Sequence, residues 1–285
     1  MEYSNPEIPE GINTTKTHPL KEFAILTGGV LGIIILAVFI LSLLAEKLAV
    51  YVPFSVEQQL VPAFFIEEEM NSNTDSDINI YLQDLSAQIA ARMDIPDEMT
   101  MTIHYVDDDV ENAFATVGGH IFIYRGLLRL LPNENALSMV LAHEMAHVLH
   151  RHPIMAMGRG VVIGLLLATI SGLSADHFVG GVISSTGTIT MLGFSREQER
   201  EADETALAVV AGYYGHVGGA EDLFTTLLAL EEKYAAGRPQ FLSTHPLSEN
   251  RIHLIHQYAR SNGLQTQGRL TELPAIIKHI GDKTE

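Results

Sequence analysis

The sequence predicts an α+β fold, mainly helical with a small sheet, preceded by one N-terminal transmembrane helix. Three observations carry this. An uncharged apolar run lies near the N-terminus, strand-like patterning is confined to residues 101–124, and from Leu127 onward the apolar spacing is helical. The chain has 285 residues, 47% of them hydrophobic, ample for a packed core.

Residues 1–23 are polar, contain Pro6, Pro9 and Pro19, and read as a disordered tail. From Ala24 to Ala45 no residue is charged. As a helix this run is roughly 33 Å long, enough to cross a bilayer core and too long for the apolar part of a signal peptide. Lys16 and Lys21 precede it, whereas Lys47 follows and the next basic residue is Arg92. Positive-inside logic therefore puts the N-terminus in the cytoplasm and the bulk of the chain across the membrane. Residues 46–74, with prolines and the acidic run Glu67-Glu68-Glu69, read as a linker. A domain is expected over 75–262 and a C-terminal tail over 263–285.

Within the domain, Ile78, Tyr81, Leu82, Leu85 and Ile89 give a helical period after a cap at Asp75 or Ser76. Met101–Val106 reads as a strand. Residues 113–117, Gly118-Gly119 and residues 120–124 read as a β-hairpin with a glycine turn. Asn133 is placed to cap a helix that Pro153 ends. Val161–Ser174 and Phe178–Phe194 are apolar, but each is shorter than the ~18 residues of a confident span. They are expected to form a buried or membrane-grazing pair.

Seventeen basic residues against 35 acidic ones give a net charge of −18, which excludes the basic surface that nucleic-acid binding needs. With no cysteine there is no disulfide scaffold, zinc ribbon, iron–sulfur cluster or thiol nucleophile.

The helix after Asn133 carries His143-Glu144-Met145-Ala146-His147 among Leu137, Met139, Val140, Leu141, Val148 and Leu149. Histidines at i and i+4 lie one turn apart on one face and can converge on a Zn²⁺ ion. Glu144 between them is placed as general base. Two histidines and an acid on an apolar helix would otherwise be costly to bury. A catalytic zinc takes a third protein ligand. His150 is too far along the axis to share an ion with His143, and His152 falls at the helix end, off that face. The acidic stretch 195–204 is the better source. Glu199, Ala202, Asp203, Ala206 and Val210 share one small, apolar face, whereas Glu197, Glu201 and Glu204 share an acidic face that reads as solvated. Glu199 is the expected ligand. Asp203, one turn on, is the expected partner of a ligating histidine's outer nitrogen.

At these residues the chain resembles the membrane-associated gluzincin peptidases, a group that includes HtpX, the CAAX prenyl endopeptidase, the BepA-type periplasmic proteases and the mitochondrial Oma peptidase. The likeness rests on His143-Glu144-x-x-His147, on Glu199-x-x-x-Asp203, on Asn112-Ala113-Phe114-Ala115, and on Ser243-Thr244-His245-Pro246 running on to Arg251-Ile252. It covers roughly residues 75–260. One departure is Tyr214-Gly215-His216 after Gly212-Tyr213, where relatives often have a proline. With one span before the domain, the chain looks closer to the BepA and Oma branch than to the multi-span members.

The resemblance implies a zincin-like metallopeptidase domain over 75–262, one zinc ion held by His143, His147 and Glu199, and endoproteolysis of protein or peptide substrates, misfolded membrane or envelope proteins among them. It tilts Asn112, Ala113 and Phe114 toward a substrate-binding edge strand. His245 is expected beside the metal, as an oxyanion donor, as a switch occupying the open zinc position, or in a structural hydrogen bond. Tyr124, Tyr213 and Tyr214 are alternative oxyanion donors, and the remaining histidines read as structural or solvated. The expected location is a single-pass protein of the bacterial inner membrane with a periplasmic catalytic domain. The competing readings are a membrane-tethered chaperone or adaptor with a latent or structural zinc site, and an intramembrane or prenyl-directed protease.

Overall fold

The structure, a computed structural model, describes residues 18–60, 77–172, 193–233, 241, 245 and 250–280. The chain divides into two units, residues 1–41 and 42–285. The first unit contains most of helix α1 (Pro19–Ala49), whose apolar window has a mean hydropathy of 2.8 and is wholly exposed. The helix begins five residues earlier than the uncharged run and continues past Glu46 and Lys47, since charged residues with good helix propensity extend a helix that is already nucleated.

In the second unit, residues 46–60 are not a linker. After Pro53, helix α2 (Phe54–Leu60) packs Phe54, 3% exposed, into the main core. Glu57 is equally buried; it accepts the Gly118 N–H at 3.1 Å and pairs with Arg151. Residues 61–76, the rest of the expected linker and the expected cap, lie outside the described residues. Helix α3 (Asp77–Ala90) buries Leu82, Leu85 and Ile89 as its period requires.

The sheet has the order β1–β3–β2, with β1 (Thr102–Val106) parallel and β2 (Ala113–Ala115) antiparallel to β3 (His120–Tyr124). The β2–β3 connection passes through Gly118 and Gly119, both at positive φ. Gly119 is required twice over, because a Cβ there would meet the Thr100 carbonyl oxygen at 2.0 Å. Helix α4 (Arg125–Leu128) leads into the central helix α5 (Glu134–Leu149), every residue of which from Asn135 to Val148 is buried. A helix apolar all round belongs inside. Its cap is Asn133, whose side chain accepts the Ala136 N–H at 2.8 Å.

Pro153 does not stop this helix; it starts the next one. Arg151 takes a left-handed conformation (φ 65°) and α6 (His152–Ser171) begins with Pro153 in its first turn, where the missing N–H costs nothing. Residues 173–192 of the second apolar stretch lie outside the described residues. Helix α7 (Arg196–Tyr214) opens on a capping box between Ser195 and Gln198 and packs along α5. Helices α8 (Ala220–Lys233) and α9 (Asn250–Ser261) follow. The expected C-terminal tail is instead part of the domain through residue 280. Leu273, Ile277 and Ile280, on or beside the short helix α10 (Ala275–Lys278), join the core. Thr271 accepts the Glu134 N–H at 2.9 Å and donates to Asn135 Oδ1 at 2.8 Å, so this segment satisfies the otherwise unpaired N-terminus of α5.

Candidate metal centre

The helix α5 presents His143 and His147 toward α7, and their Nε2 atoms lie 3.0 Å apart. Glu199 reaches the same point from α7, with Oε1 3.5 Å from His147 Nε2 and Oε2 3.6 Å from His143 Nε2. His245 closes the group, its Nδ1 3.3 Å from His143 Nε2 and 2.9 Å from Glu199 Oε1. All four residues are buried and offer ligand atoms within 4.8 Å of one another.

These spacings test whether a metal fits. Ligands at about 2.0–2.1 Å around a tetrahedral ion are about 3.3–3.4 Å from each other. The observed edges of 2.9 to 3.6 Å bracket that value. Imidazole nitrogens facing each other at 3.0 and 3.3 Å need a cation or a proton between them. The donor set, two or three imidazoles and one carboxylate, suits zinc.

The electrostatics point the same way. Burial works against charge on His143, yet Asp203 and Glu199 outweigh it and lift the pKa to about 9. Burial and the neighbouring His143 hold His147 well below the usual histidine range. Burial opposes ionisation of Glu199, but His245 and His143 keep it far below the carboxylate norm. Without metal, the positive charge the site demands falls on His143. A divalent ion supplies it directly.

Asp203 Oδ1 lies 3.0 Å from His143 Nδ1, the outer nitrogen. Arg251, which sequence reasoning used only as the end point of a resemblance, grips Asp203 through Nε and Nη2 at 2.8 and 2.6 Å and places Nη1 3.0 Å from Glu199 Oε2. Glu144 is completely buried, and neither carboxylate oxygen has a hydrogen-bond partner among the described residues. Its Oε1 is 3.4 Å from His245 Nε2. A buried carboxylate without a hydrogen bond is expensive, and it is kept where something else binds it in operation.

β2 lies at the sheet edge beside α5. Asn112 and Thr116 bond to β3. The antiparallel alternation therefore turns the N–H and C=O groups of Ala113 and Ala115 outward, while Phe114 pairs with Phe122. This edge is buried here. Phe241 donates its N–H to Glu111 O at 3.0 Å and accepts from His245 N at 2.8 Å. The segment that brings His245 to the metal site is thus fastened next to the start of β2. Ser243, Thr244 and Pro246 lie outside the described residues.

Other candidates fall elsewhere. Tyr214 bonds Ser138 and Glu134, and Tyr213 bonds Gln88; both serve the first turns of α5 and its neighbours rather than the metal end. Phe114 and Tyr124 pack ring against ring. Glu201 is half-exposed but not a free surface charge, since it lies 3.4 Å from His150 and 3.3 Å from His152. His152, set aside on helical-wheel grounds, stands 2.8 Å from His147 through their Nδ1 atoms. Its sequence signal was a histidine one residue before a proline, which only becomes meaningful once Arg151 is known to turn the chain.

A family model described as peptidase family M48 matches residues 77–259. The chain is 28% identical over 218 residues to the beta-barrel assembly-enhancing protease of Yersinia pestis, covering 70% of this chain and 43% of that one. It is 31% identical over 163 residues to the mitochondrial metalloendopeptidase OMA1 of Schizosaccharomyces pombe, covering 56% and 47%. The chain therefore spans less than half the length of these curated relatives.

Proposed function

This chain belongs to peptidase family M48, and from that premise we propose that it is a membrane-anchored zinc endopeptidase that hydrolyses peptide bonds of proteins. The observation that carries this is the convergence of His143, His147 and Glu199 on one buried point, beside the Glu144 carboxylate that has no hydrogen bond among the described residues. His143, His147 and Glu199 would hold the zinc, with His245 beside them in the same cluster. When bound, zinc acidifies a water and polarises the scissile carbonyl.

Glu144 takes the proton of the attacking water and returns it to the leaving amine. Asp203 holds the His143 ring and keeps its proton on Nδ1. The outward backbone groups of Ala113 and Ala115, in the strand that runs from Asn112 through Phe114, bind the substrate as an added strand. His245, whose Nε2 lies 3.4 Å from Glu144 Oε1, is near enough to donate to the carbonyl oxygen as it gains charge.

One relative is named for enhancing beta-barrel assembly, which is in keeping with a role in quality control of membrane or envelope proteins, and α1 supplies the anchor. The lysine count around α1 favours an inner-membrane protein with its domain on the periplasmic side, which a reporter fused to the C-terminus tests. For the chemistry, Glu144→Gln is expected to bind one zinc per chain and cleave casein at least 100-fold more slowly. Glu199→Ala is expected to lose zinc. Full proteolysis by Glu144→Gln, or a zinc-replete Glu199→Ala, would refute the assignment. Full biological activity in a Glu144→Gln protein that no longer cleaves casein would favour a tethered chaperone instead.

A further inference from the structure

We propose that His152 and Glu201 are positioning residues that act on the metal through His147. This rests on the metal site proposed above. His147 turns Nε2 toward the other donors, 3.0 Å from His143 Nε2 and 3.5 Å from Glu199 Oε1. A nitrogen that ligates carries no proton, so the proton of His147 sits on Nδ1. That atom is 2.8 Å from His152 Nδ1, which must therefore accept. His152 then carries its own proton on Nε2, and this faces Glu201 Oε2 at 3.3 Å.

The result is a directed chain from the carboxylate of Glu201, through the His152 ring, to the outer nitrogen of His147. His143 has a carboxylate directly behind it, Asp203 at 3.0 Å. His147 obtains the same support one ring further away.

The backbone is built for this. His152 is 1% exposed and lies at the start of α6, five residues after His147. It returns beneath His147 only because Arg151 adopts φ 65°. Left-handed backbone is unfavourable for arginine, and it persists where surrounding contacts fix it. Here those contacts are the ion pair with Glu57 and a hydrogen bond to Val52 O, both from the segment that follows α1. On the other side Phe194 stacks on His147 at 3.9 Å, so the ring is held from two directions.

The test is the zinc dissociation constant, measured by chelator competition on the full-length protein in detergent, with Glu144→Gln as the parent so that self-cleavage does not intervene. His152→Phe fills the space without an acceptor and is expected to weaken zinc binding roughly 10- to 100-fold. His152→Gln restores an acceptor and is expected to return to within about fivefold of the parent. Glu201→Ala, at a half-exposed position, keeps stoichiometric zinc but binds it about 3- to 10-fold more weakly. Unfolding midpoints in excess chelator provide the control for a merely structural effect. Parent-like affinity in His152→Phe, or a glutamine variant as weak as the phenylalanine one, would overturn the relay. Should His152→Phe not fold, unchanged affinity in Glu201→Ala overturns it. A parent that binds no zinc at all overturns the metal site itself.

Discussion

Arg251 ties two carboxylates together at the scale of single residues. It is 5% exposed, forks onto Asp203, reaches Glu199 and lies 4.7 Å over the Phe224 ring. Burial pushes its guanidinium pKa down, but Asp203 and Glu199 more than reverse this and raise it. One side chain therefore fixes both the expected ligand and the acid behind His143. Removing it leaves the two buried acids with only histidine partners, and breaking a buried ion pair typically costs about 3–5 kcal/mol. Arg251→Ala is expected to lose that much in urea unfolding with chelator present. Arg251→Lys should recover only part of it, because an ammonium cannot fork. A loss below about 1 kcal/mol in the alanine variant would mean that the fork holds nothing. The contrast with the histidines shows what a sequence reveals. His143, Glu144 and His147 are legible because their geometry is local to one helical turn, and Glu199 and Asp203 because they share one face of a helix. Arg251 and His152 depend on packing between elements, which spacing does not encode.

Elements divide along the same line. The helices α3, α5 and α7 and the β2–β3 hairpin were legible from period, cap and glycine turn. Helix α2 was not, because seven residues are too few for a period, and Glu57 looks solvated until Arg151 arrives from 94 positions away. The C-terminal segment was missed because its few apolar residues are spread among polar ones, although they meet the core together. The pairing of β1 with β3 has a consequence for pH. It buries His104, 8% exposed, 2.8 Å from His120 and stacked on Phe122. Burial, and then His120, push the His104 pKa down to about 4, against about 6.5 in the unfolded chain. The neutral ring is thus favoured by folding. Its contribution is complete above pH 6.5 and is lost as the pH falls toward 4, because the unfolded chain takes up the proton first. Between pH 7.5 and 4.5 the linkage amounts to about 2–3 kcal/mol. Urea unfolding in chelator should show the parent losing that much more than His104→Phe over this interval. Equal losses in the two proteins would remove His104 as the source.

For the molecule as a whole, the candidate metal donors come from three places: His143 and His147 on α5, Glu199 on α7, and His245 from beyond α8. An ion bound there would join segments up to about 100 residues apart, and only in the folded chain. Its stabilisation is then set by mass action: at a free metal concentration 1,000 times the dissociation constant it is about 4 kcal/mol. In a domain of this size each kcal/mol moves the unfolding midpoint by roughly 2–4 °C. Chelation of the Glu144→Gln protein is therefore expected to lower its midpoint by about 10 °C, and added zinc to restore it. In Glu199→Ala, chelation should change the midpoint by no more than about 2 °C, since there is little bound metal to remove. The metal-free domain should still unfold cooperatively, because the core around α5 is built from apolar contacts and Arg251 still partners both acids. A midpoint insensitive to chelator in Glu144→Gln would mean that the four donors do not share an ion. An equal shift in Glu199→Ala would place the stabilising ion somewhere other than this site.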